Sequence, residues 1–348
     1  MQAQDFAPLA HVSPWPTKPQ SDLLQAIFGP DERVAEAYAA WRSAIDLDVG
    51  LDAGSYRLLP LLDYRLRGLG LDDPITGRLR GIYRRAWIDN QLLFARVGEL
   101  LNRLADAKIE TMLLKGAPLA LVYYPRPECR PMGDIDVLVH ENDASRAERL
   151  ILDAGWPRML PRARLERLQM HAASLSNGAQ EIDLHWRGLF ETRTAASVRW
   201  FWEGAIPFQF GEVTTLRPRT TVLLLSVIVH GLRANPVPPV RWVADAMTIL
   251  RQEAEKIEWD ELTSFAIRHR LGWRTGLGLD YLRKRFAAPI PAEVPARLLA
   301  AGQGIFERAE NSIYLPGATR PGISPLRRWL CRAARKSLRT ISLIEYWT

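Results

Sequence analysis

The sequence predicts an α+β fold in which a small mixed sheet lies between N-terminal and C-terminal helical regions. Apolar residues recur at helical spacing before residue 90 and again after Pro218. Between these regions the spacing changes to strand alternation, and "AASLSNGAQEIDLHW" contains the Asn-Gly pair of a tight hairpin. We therefore divide the chain into an N-terminal arm and helical region (1–90), a mixed core (91–216) and a C-terminal helical region with a basic tail (217–348).

The first part of the chain is predicted to be helical. Residues 1–20 are rich in proline and are interpreted as a loose arm. A helix over "SDLLQAIF" takes Ser21 as its N-cap and buries a face formed by Leu24, Ile27 and Phe28. Short helices are expected over 31–87. The next helix, "QLLFARVGELLNRLADAKI", has one buried stripe, formed by Leu93, Val97, Leu100 and Leu104.

The core alternates between strands and helices. "TMLLKG" and "DIDVLVH" are predicted strands, and a helix over "DASRAERLILDAGW" ends near Gly155. The Asn-Gly hairpin follows, and "FQFGEVTTL" predicts a second hairpin. Gly116 is placed at the junction of the first strand and a predicted helix.

After Pro218 the chain returns to helices, including "TTVLLLSVIVHGL", "VRWVADAMTILRQEA" and "DELTSFAIRHRLG". Trp242 and Trp259 are interpreted as core residues. The tail, "SPLRRWLCRAARKSLRTISLIEYWT", predicts an amphipathic basic helix. Such a helix either docks its apolar stripe on the protein's own core or contacts an acidic partner or an anionic membrane surface.

Charge and composition limit the class of partner. The net charge is +7, but from Arg320 onward seven basic residues face one acidic residue, so the body of the chain is close to neutral. A nucleic-acid partner is therefore not expected, because phosphate contacts require many basic residues. No run of 18 apolar residues or secretory signal is visible, and two distant cysteines, Cys129 and Cys331, predict no disulfide framework. A cytoplasmic location is expected.

The stretch "RPMGDIDVLVH" places two carboxylates on one strand. Side chains alternate across a strand, so Asp134 and Asp136 share a face, with Cα atoms about 6–7 Å apart. Two carboxylates on one face repel each other unless a positive group lies between them. Either a basic side chain or a metal ion is therefore expected there.

Two further features accompany this pair. Gly116 in "LLKGAPLA" allows backbone N–H groups to approach a phosphate, and a helix N-terminus would add partial positive charge. "EIDLHW" supplies a third carboxylate, Asp183, on another strand. Three strand carboxylates beside such a turn suit a phosphoryl displacement assisted by two Mg²⁺ ions about 3.5–4 Å apart. Mn²⁺ is the alternative ion.

The run "LLKGAPLALVYYPRPECRPMGDIDVLV", together with "EIDLHW", resembles the uncharacterised nucleotidyltransferase family of bacteria, within the polymerase-β-like superfamily. The resemblance covers roughly residues 90–250. Gly116 and Ala117 match the Gly-small element, Asp134 and Asp136 match Asp-x-Asp, and Asp183 matches the later carboxylate. Many members have Gly-Ser where this chain has Gly-Ala, which removes a hydroxyl that can touch the terminal phosphates.

The resemblance implies transfer of a nucleoside monophosphate from an NTP, with ATP expected, and release of pyrophosphate. Asp134 and Asp136 would hold both metal ions. Asp183 would ligate one of them and accept the acceptor's proton. Lys115 and the Gly116–Ala117 turn would hold the β- and γ-phosphates. The acceptor is not named by the sequence: small molecules, natural-product peptides, polysaccharide-linked groups and proteins all remain open.

Several residues near these motifs have two interpretations. Lys115 is either a phosphate ligand or the counter-ion of the aspartates. Arg130 contacts a phosphate or base, or forms an ion pair. His185 orients a carboxylate or substrate, or is a hydrogen-bonded core histidine. Gly133, directly before Asp134, is included among the nucleotide-binding positions.

His230 and Asp245 lie in "VIVHGLR" and "RWVADAM", which also resemble the family, and His230 is interpreted as a structural residue of an apolar helix. Two other functions compete with nucleotide transfer to one of these acceptors. One is a nucleotide- or partner-binding module with this fold that has lost its chemistry. The other is an enzyme that extends RNA ends, which the near-neutral body of the chain argues against.

Overall fold

The computed structural model describes residues 14–160, 171–192, 194–232 and 240–302. The fold is α+β, as predicted: a six-stranded mixed sheet with helices before, between and after its strands. In these four ranges no helix combines the length and apolar character needed to span a membrane. Residues 1–13 of the predicted loose arm, Cys331 and the basic tail lie outside the described residues, whereas residues 18–20 of that arm belong to the first helix.

Four helices precede the core: α1 (Lys18–Phe28), α2 (Asp31–Ser43), α3 (Ala53–Tyr56) and α4 (Leu59–Gly68). The predicted buried face of α1 is confirmed. The predicted N-cap is wrong, because Ser21 lies inside the helix. Thr17 caps it instead, through a capping box with Gln20.

Helix α5 (Thr76–Asp106) is a single helix of 31 residues. It buries the predicted stripe of Leu93, Val97, Leu100 and Leu104. It also runs through residue 90, so the proposed boundary between the first two regions falls inside a helix rather than in a linker. The division of the chain into three regions remains a proposal.

The sheet contains β1 (Thr111–Leu114), β2 (Asp134–Val139), β3 (Ala172–Ser176), β4 (Glu181–His185), β5 (Ile206–Phe210) and β6 (Val213–Arg217). Its order is β3-β4-β2-β1-β6-β5. Both predicted hairpins are present, as the antiparallel pairs β3–β4 and β5–β6 at the two edges. In the centre, β2 is antiparallel to β1 and parallel to β4, while β1 is parallel to β6.

The segment between β1 and β2 is irregular. Only a three-residue helical turn, α6 (Gly116–Pro118), follows β1, and a π-helical turn occupies Leu119–Tyr123. The helix predicted after Gly116 is therefore present, but it is short and changes from α to π geometry after Pro118. After β2, helix α7 (Ala144–Asp153) ends two residues before Gly155, which has φ of +85°, so the predicted end near this glycine is confirmed.

The two faces of the sheet contact different hydrophobic cores. Leu113, Val137 and Ile182 pack with α5 and α7. Leu114 and Leu138, on the other face, belong to the larger core formed with the terminal helical regions. Because Asp136 alternates with Val137, its side chain lies on the face of the larger core.

The remaining helices follow the predicted order: α8 (Ala195–Trp202), α9 (Thr220–Gly231), α10 (Arg241–Glu253), α11 (Trp259–Arg268), α12 (Gly272–Phe286) and α13 (Glu293–Ala300). Helix α9 is buried along almost its whole length. Trp242 is buried in the larger core and Trp259 packs against it, as expected. Helix α10 lies against the irregular segment after β1, which brings the C-terminal region to the middle of the sheet.

Candidate active site

Two parallel strands place Asp136 and Asp183 side by side. In the pairing of β2 with β4, Asp136 lies opposite Asp183 and Asp134 lies opposite Glu181. Strand alternation puts the three aspartates on one face. Asp136 is buried, whereas Asp134, at the first position of β2, is exposed.

A histidine joins the two central carboxylates. Asp136, Asp183 and His185 each offer a ligand atom, and these atoms lie within 4.8 Å of one another. His185 is buried, and its Nε2–H donates a 2.8 Å hydrogen bond to Asp136 Oδ1. His185 is thus both the buried histidine and the carboxylate-orienting residue that the sequence offered as alternatives. The exposed Asp134 is not one of these three.

Lys115 connects the end of β1 to this group. Its Nζ donates to Asp136 Oδ1 over 3.1 Å, and both side chains are largely buried. Its backbone has φ of 38° and ψ of −92°, a conformation that an L-residue rarely adopts. Such strain persists only where the surrounding structure enforces it, and it is concentrated at functional sites. In the structure Lys115 is the counter-ion of Asp136.

The surroundings of Asp136 and Asp183 shift the pKa values of these two carboxyl groups in opposite directions. Burial opposes ionisation of Asp136, but the charge of Lys115 and the hydrogen bond from His185 outweigh it and hold the pKa of Asp136 well below its usual value. Burial, with a further contribution from the Asp136 carboxylate, raises the pKa of Asp183. One carboxylate is therefore firmly ionised, and its neighbour is the better proton acceptor.

The Gly116 turn lies directly against the loop that leads into β2. A Cβ atom at Gly116 would lie 3.4 Å from Met132 Sδ, 3.5 Å from Arg130 Nη1 and 3.8 Å from the Asp134 carbonyl oxygen. A larger side chain would therefore press on the arginine and the loop. Ala117 is fully buried in the core with α5. Gly133 is exposed directly before Asp134.

The family model described as "uncharacterised nucleotidyltransferase" matches residues 53–287, which include all six strands and the residues above. The chain belongs to this nucleotidyltransferase family. A search of curated proteins gives no match. Among solved structures, the solution structure of antibiotic-resistance factor ANT(2'')-Ia matches 57% of this chain and 95% of that chain, with a TM-score of 0.34 and 14% identity. Similarity at that level supports no statement about fold or activity.

The donor set of this nucleotidyltransferase fits a divalent cation. Two carboxylates and an imidazole converge within 4.8 Å, and the exposed Asp134 lies two residues before Asp136 on the same strand face. Carboxylate oxygens are the preferred ligands of Mg²⁺ and Mn²⁺, and an imidazole nitrogen is a common ligand of other divalent transition metals. The close ammonium of Lys115 is a competing cation at Asp136.

Arg130 is placed behind the turn rather than on the surface. It is 4% exposed, and its Nε and Nη2 donate to the two carboxylate oxygens of Asp245 on α10. The ion pair offered as one interpretation is therefore present, but it is buried. The other interpretation, a contact with a phosphate or base, stays a proposal. The remaining nitrogen of Arg130, Nη1, lies next to Gly116.

Asn90 on α5 was not foreseen as a site residue. Its Nδ2 donates to the carbonyl oxygens of Pro127 and Arg130, and its Oδ1 accepts from the Met132 N–H. These hydrogen bonds fix the loop that leads into β2, which begins at Asp134. The sequence does contain a signal for this role, because the polar residue Asn90 lies in line with the apolar stripe that continues at Leu93.

His230 was interpreted as a structural residue of an apolar helix, and its role stays a prediction. It is exposed at the end of α9. It also lies near enough to Asp136 for its charge to lower the pKa of that carboxyl. The apolar run before it suggested burial, but the last turn of α9 emerges beside the site.

Proposed function

We propose that the protein transfers a nucleoside monophosphate from an NTP, with ATP expected, to an acceptor and releases pyrophosphate in a metal-dependent reaction. The observation that carries this proposal is the juxtaposition of Asp136 and Asp183 on parallel strands, beside Lys115 and the Gly116 turn. Membership of the nucleotidyltransferase family supports the class of reaction. The acceptor is a small molecule, a natural-product peptide, a polysaccharide-linked group or a protein.

In the proposed site Asp134, Asp136 and Asp183 hold divalent cations, Mg²⁺ or Mn²⁺. A bound divalent cation neutralises negative charge on the phosphate oxygens. The backbone of Gly116, Ala117 and Gly133 lies against the triphosphate. Lys115, Arg130 and His185 supply the positive charge and hydrogen bonds that orient it, and most of the rate enhancement comes from this positioning and charge neutralisation.

The proposed chemical step is an in-line displacement at the α-phosphorus. An acceptor oxygen or nitrogen forms the new bond to phosphorus, and the bond to the bridging oxygen of the β-phosphate breaks, so that pyrophosphate leaves. Asp183 takes the proton of the attacking group.

The competing function is nucleotide binding without turnover. The buried methyl of Ala117 favours it, since no hydroxyl is available there. The contact between Lys115 and Asp136 also favours it, because it neutralises one of the proposed metal ligands.

The test combines nucleotide titration with turnover. The four NTPs are titrated by calorimetry with Mg²⁺ or Mn²⁺, and α-labelled NTP is supplied with fractionated cell extract as the acceptor source. We expect label transfer and pyrophosphate release by the wild type, and loss of both in Asp136→Asn. Asp260→Asn, at an exposed position of α11, is the matched control. Binding without label transfer would favour the silent module, and wild-type activity in Asp136→Asn would show that the site is assigned wrongly.

A further inference from the structure

A buried polar cluster joins helix α10 to the segment between β1 and β2. We define the Asp245 cluster as Tyr124, Arg130, Arg241 and Asp245. The Asp245 carboxylate is 6% exposed. It accepts hydrogen bonds from Arg130 Nε at 2.8 Å, Arg130 Nη2 at 3.0 Å and the Tyr124 hydroxyl at 2.7 Å. The residues of the central ion pair are 115 positions apart in sequence.

The two hydrogen bonds from Arg130 fix the plane of its guanidinium. A bidentate arginine–carboxylate pair has one geometry, so the third nitrogen also has a fixed direction. That nitrogen, Nη1, lies 3.5 Å from the position of a Cβ atom on Gly116. Asp245 therefore aims Arg130 at the turn where the nucleotide phosphates are proposed to bind.

The cluster carries an excess of positive charge. Arg241 Nη1 donates to the Pro131 carbonyl oxygen at 2.7 Å. The charge of Arg241 is attracted by the Asp245 carboxylate and repelled by Arg130. Two guanidinium groups near one carboxylate leave one net positive charge. Burial, followed by repulsion from Arg130, lowers the pKa of Arg241 to about 10. An anion beside Gly116 would relieve this repulsion.

We propose that Asp245 is a positioning residue of the nucleotide site, which holds Arg130 against the Gly116 turn so that this arginine binds the polyphosphate chain. The inference rests on the proposed function and deepens it, because it makes α10 of the C-terminal helical region part of the phosphate site. A contact that only stabilises the packing of α10 on the segment between β1 and β2 would contain the same ion pair between Arg130 and Asp245. The test must therefore separate stability from phosphate binding.

Helix α10 offers a matched control. Glu253, two turns after Asp245, accepts hydrogen bonds from the Tyr123 hydroxyl and from Thr220 Oγ1, both at 2.7 Å. The adjacent residues Tyr123 and Tyr124 thus donate hydrogen bonds to two carboxylates of α10, and both connect this helix to the segment between β1 and β2. Only the Asp245 contact includes an arginine beside Gly116.

The experiment compares Asp245→Asn with Glu253→Gln in the full chain. Affinity for inorganic tripolyphosphate is measured by calorimetry in Mg²⁺ buffer, together with the thermal midpoint and, where NTP turnover is present, KM and kcat. We expect both variants to unfold at lower temperature. Only Asp245→Asn should weaken tripolyphosphate binding, by tenfold or more, and raise KM for NTP more than it lowers kcat.

Tyr124→Phe is a milder variant that keeps both charges, and it should weaken tripolyphosphate binding about threefold. It decides the question if Asp245→Asn does not fold. The proposal is overturned if the folded variants bind tripolyphosphate as the wild type does, if Glu253→Gln weakens binding equally, or if the wild type binds none. Asp245-dependent tripolyphosphate binding without pyrophosphate release from any NTP would instead refute the proposed reaction alone.

Discussion

The ammonium group of Lys115 and the carboxylate of Asp136 form a largely buried ion pair, with Nζ 3.1 Å from Oδ1. The lysine follows β1 and the aspartate lies on β2, at the antiparallel pairing where Leu114 faces Asp136. The proposed reaction assigns this carboxylate to a divalent cation. Under that proposal, Lys115 and the cation would compete for the same oxygen atoms, and Lys115 would reach the phosphates only after leaving Asp136.

Replacing Lys115 with methionine should strengthen metal binding in the absence of nucleotide. Removing a unit charge about 3 Å from a metal ligand is worth about 1–2 kcal/mol at this partly screened position, or roughly tenfold in affinity. Titration with Mn²⁺ measures the effect. Lys18→Met, at an exposed ion pair, should leave metal affinity unchanged. Weaker metal binding in Lys115→Met would contradict the competition.

Asp183→Asn should lower the rate of the chemical step far more than nucleotide affinity. A proton acceptor acts chiefly in the transition state, so kcat and kcat/KM should fall together, by about 10² or more. Single-turnover kinetics with labelled NTP, compared with the Kd of the NTP, measure the two effects separately. A variant that loses NTP affinity but keeps its kcat would exclude Asp183 as the base.

Asn90→Ala should destabilise the protein and loosen the loop before Asp134. The substitution leaves three buried backbone groups without their partner, which costs about 2–4 kcal/mol. Denaturant unfolding measures the cost, and hydrogen exchange over residues 127–133 should become faster. The neighbouring Asp89→Ala, at an exposed ion pair with Arg85, is the control. Unchanged exchange in this loop would argue against the assigned role of Asn90.

The ion pair of Glu253 with Lys256 and its hydrogen bonds should make stability depend on acid pH. Burial opposes ionisation, but hydrogen bonds from Lys256, Tyr123 and Thr220 outweigh it and lower the pKa of Glu253 to about 2, from 4.5. Because the folded pKa is the lower one, the stabilisation is present above about pH 4.5 and is lost as the pH falls towards 2.

Glu253→Gln tests this pH dependence. The variant should be about 1–2 kcal/mol less stable than the wild type at pH 7, after allowance for solvent screening. The difference should shrink towards zero near pH 2, as measured by urea unfolding at several pH values. An equal difference at pH 7 and pH 2 would show that the charge of Glu253 is not responsible.

Local patterns were reliable where neighbouring residues decide the structure. Strand alternation correctly placed Asp134 and Asp136 on β2 and Asp183 on β4, and the Asn177–Gly178 pair correctly indicated the hairpin between β3 and β4. The same local reasoning missed the length of α5. Trp87, Ile88 and Leu92 are about half exposed on its surface, so they interrupt the amphipathic pattern of a helix that is in fact continuous.

The sequence by itself determined the strands, the shared face of the aspartates and the glycine turn, because each depends on alternation or on backbone freedom within a few residues. Only the tertiary structure decided which groups meet. The parallel pairing of β2 with β4 brings Asp136 to Asp183, and the packing of α10 brings Asp245 to Arg130. These contacts join residues 47 and 115 positions apart. The register of β2 with β4 is set by burial of the whole sheet, and the Asp245 contact by the packing of α10, and no local pattern contains either.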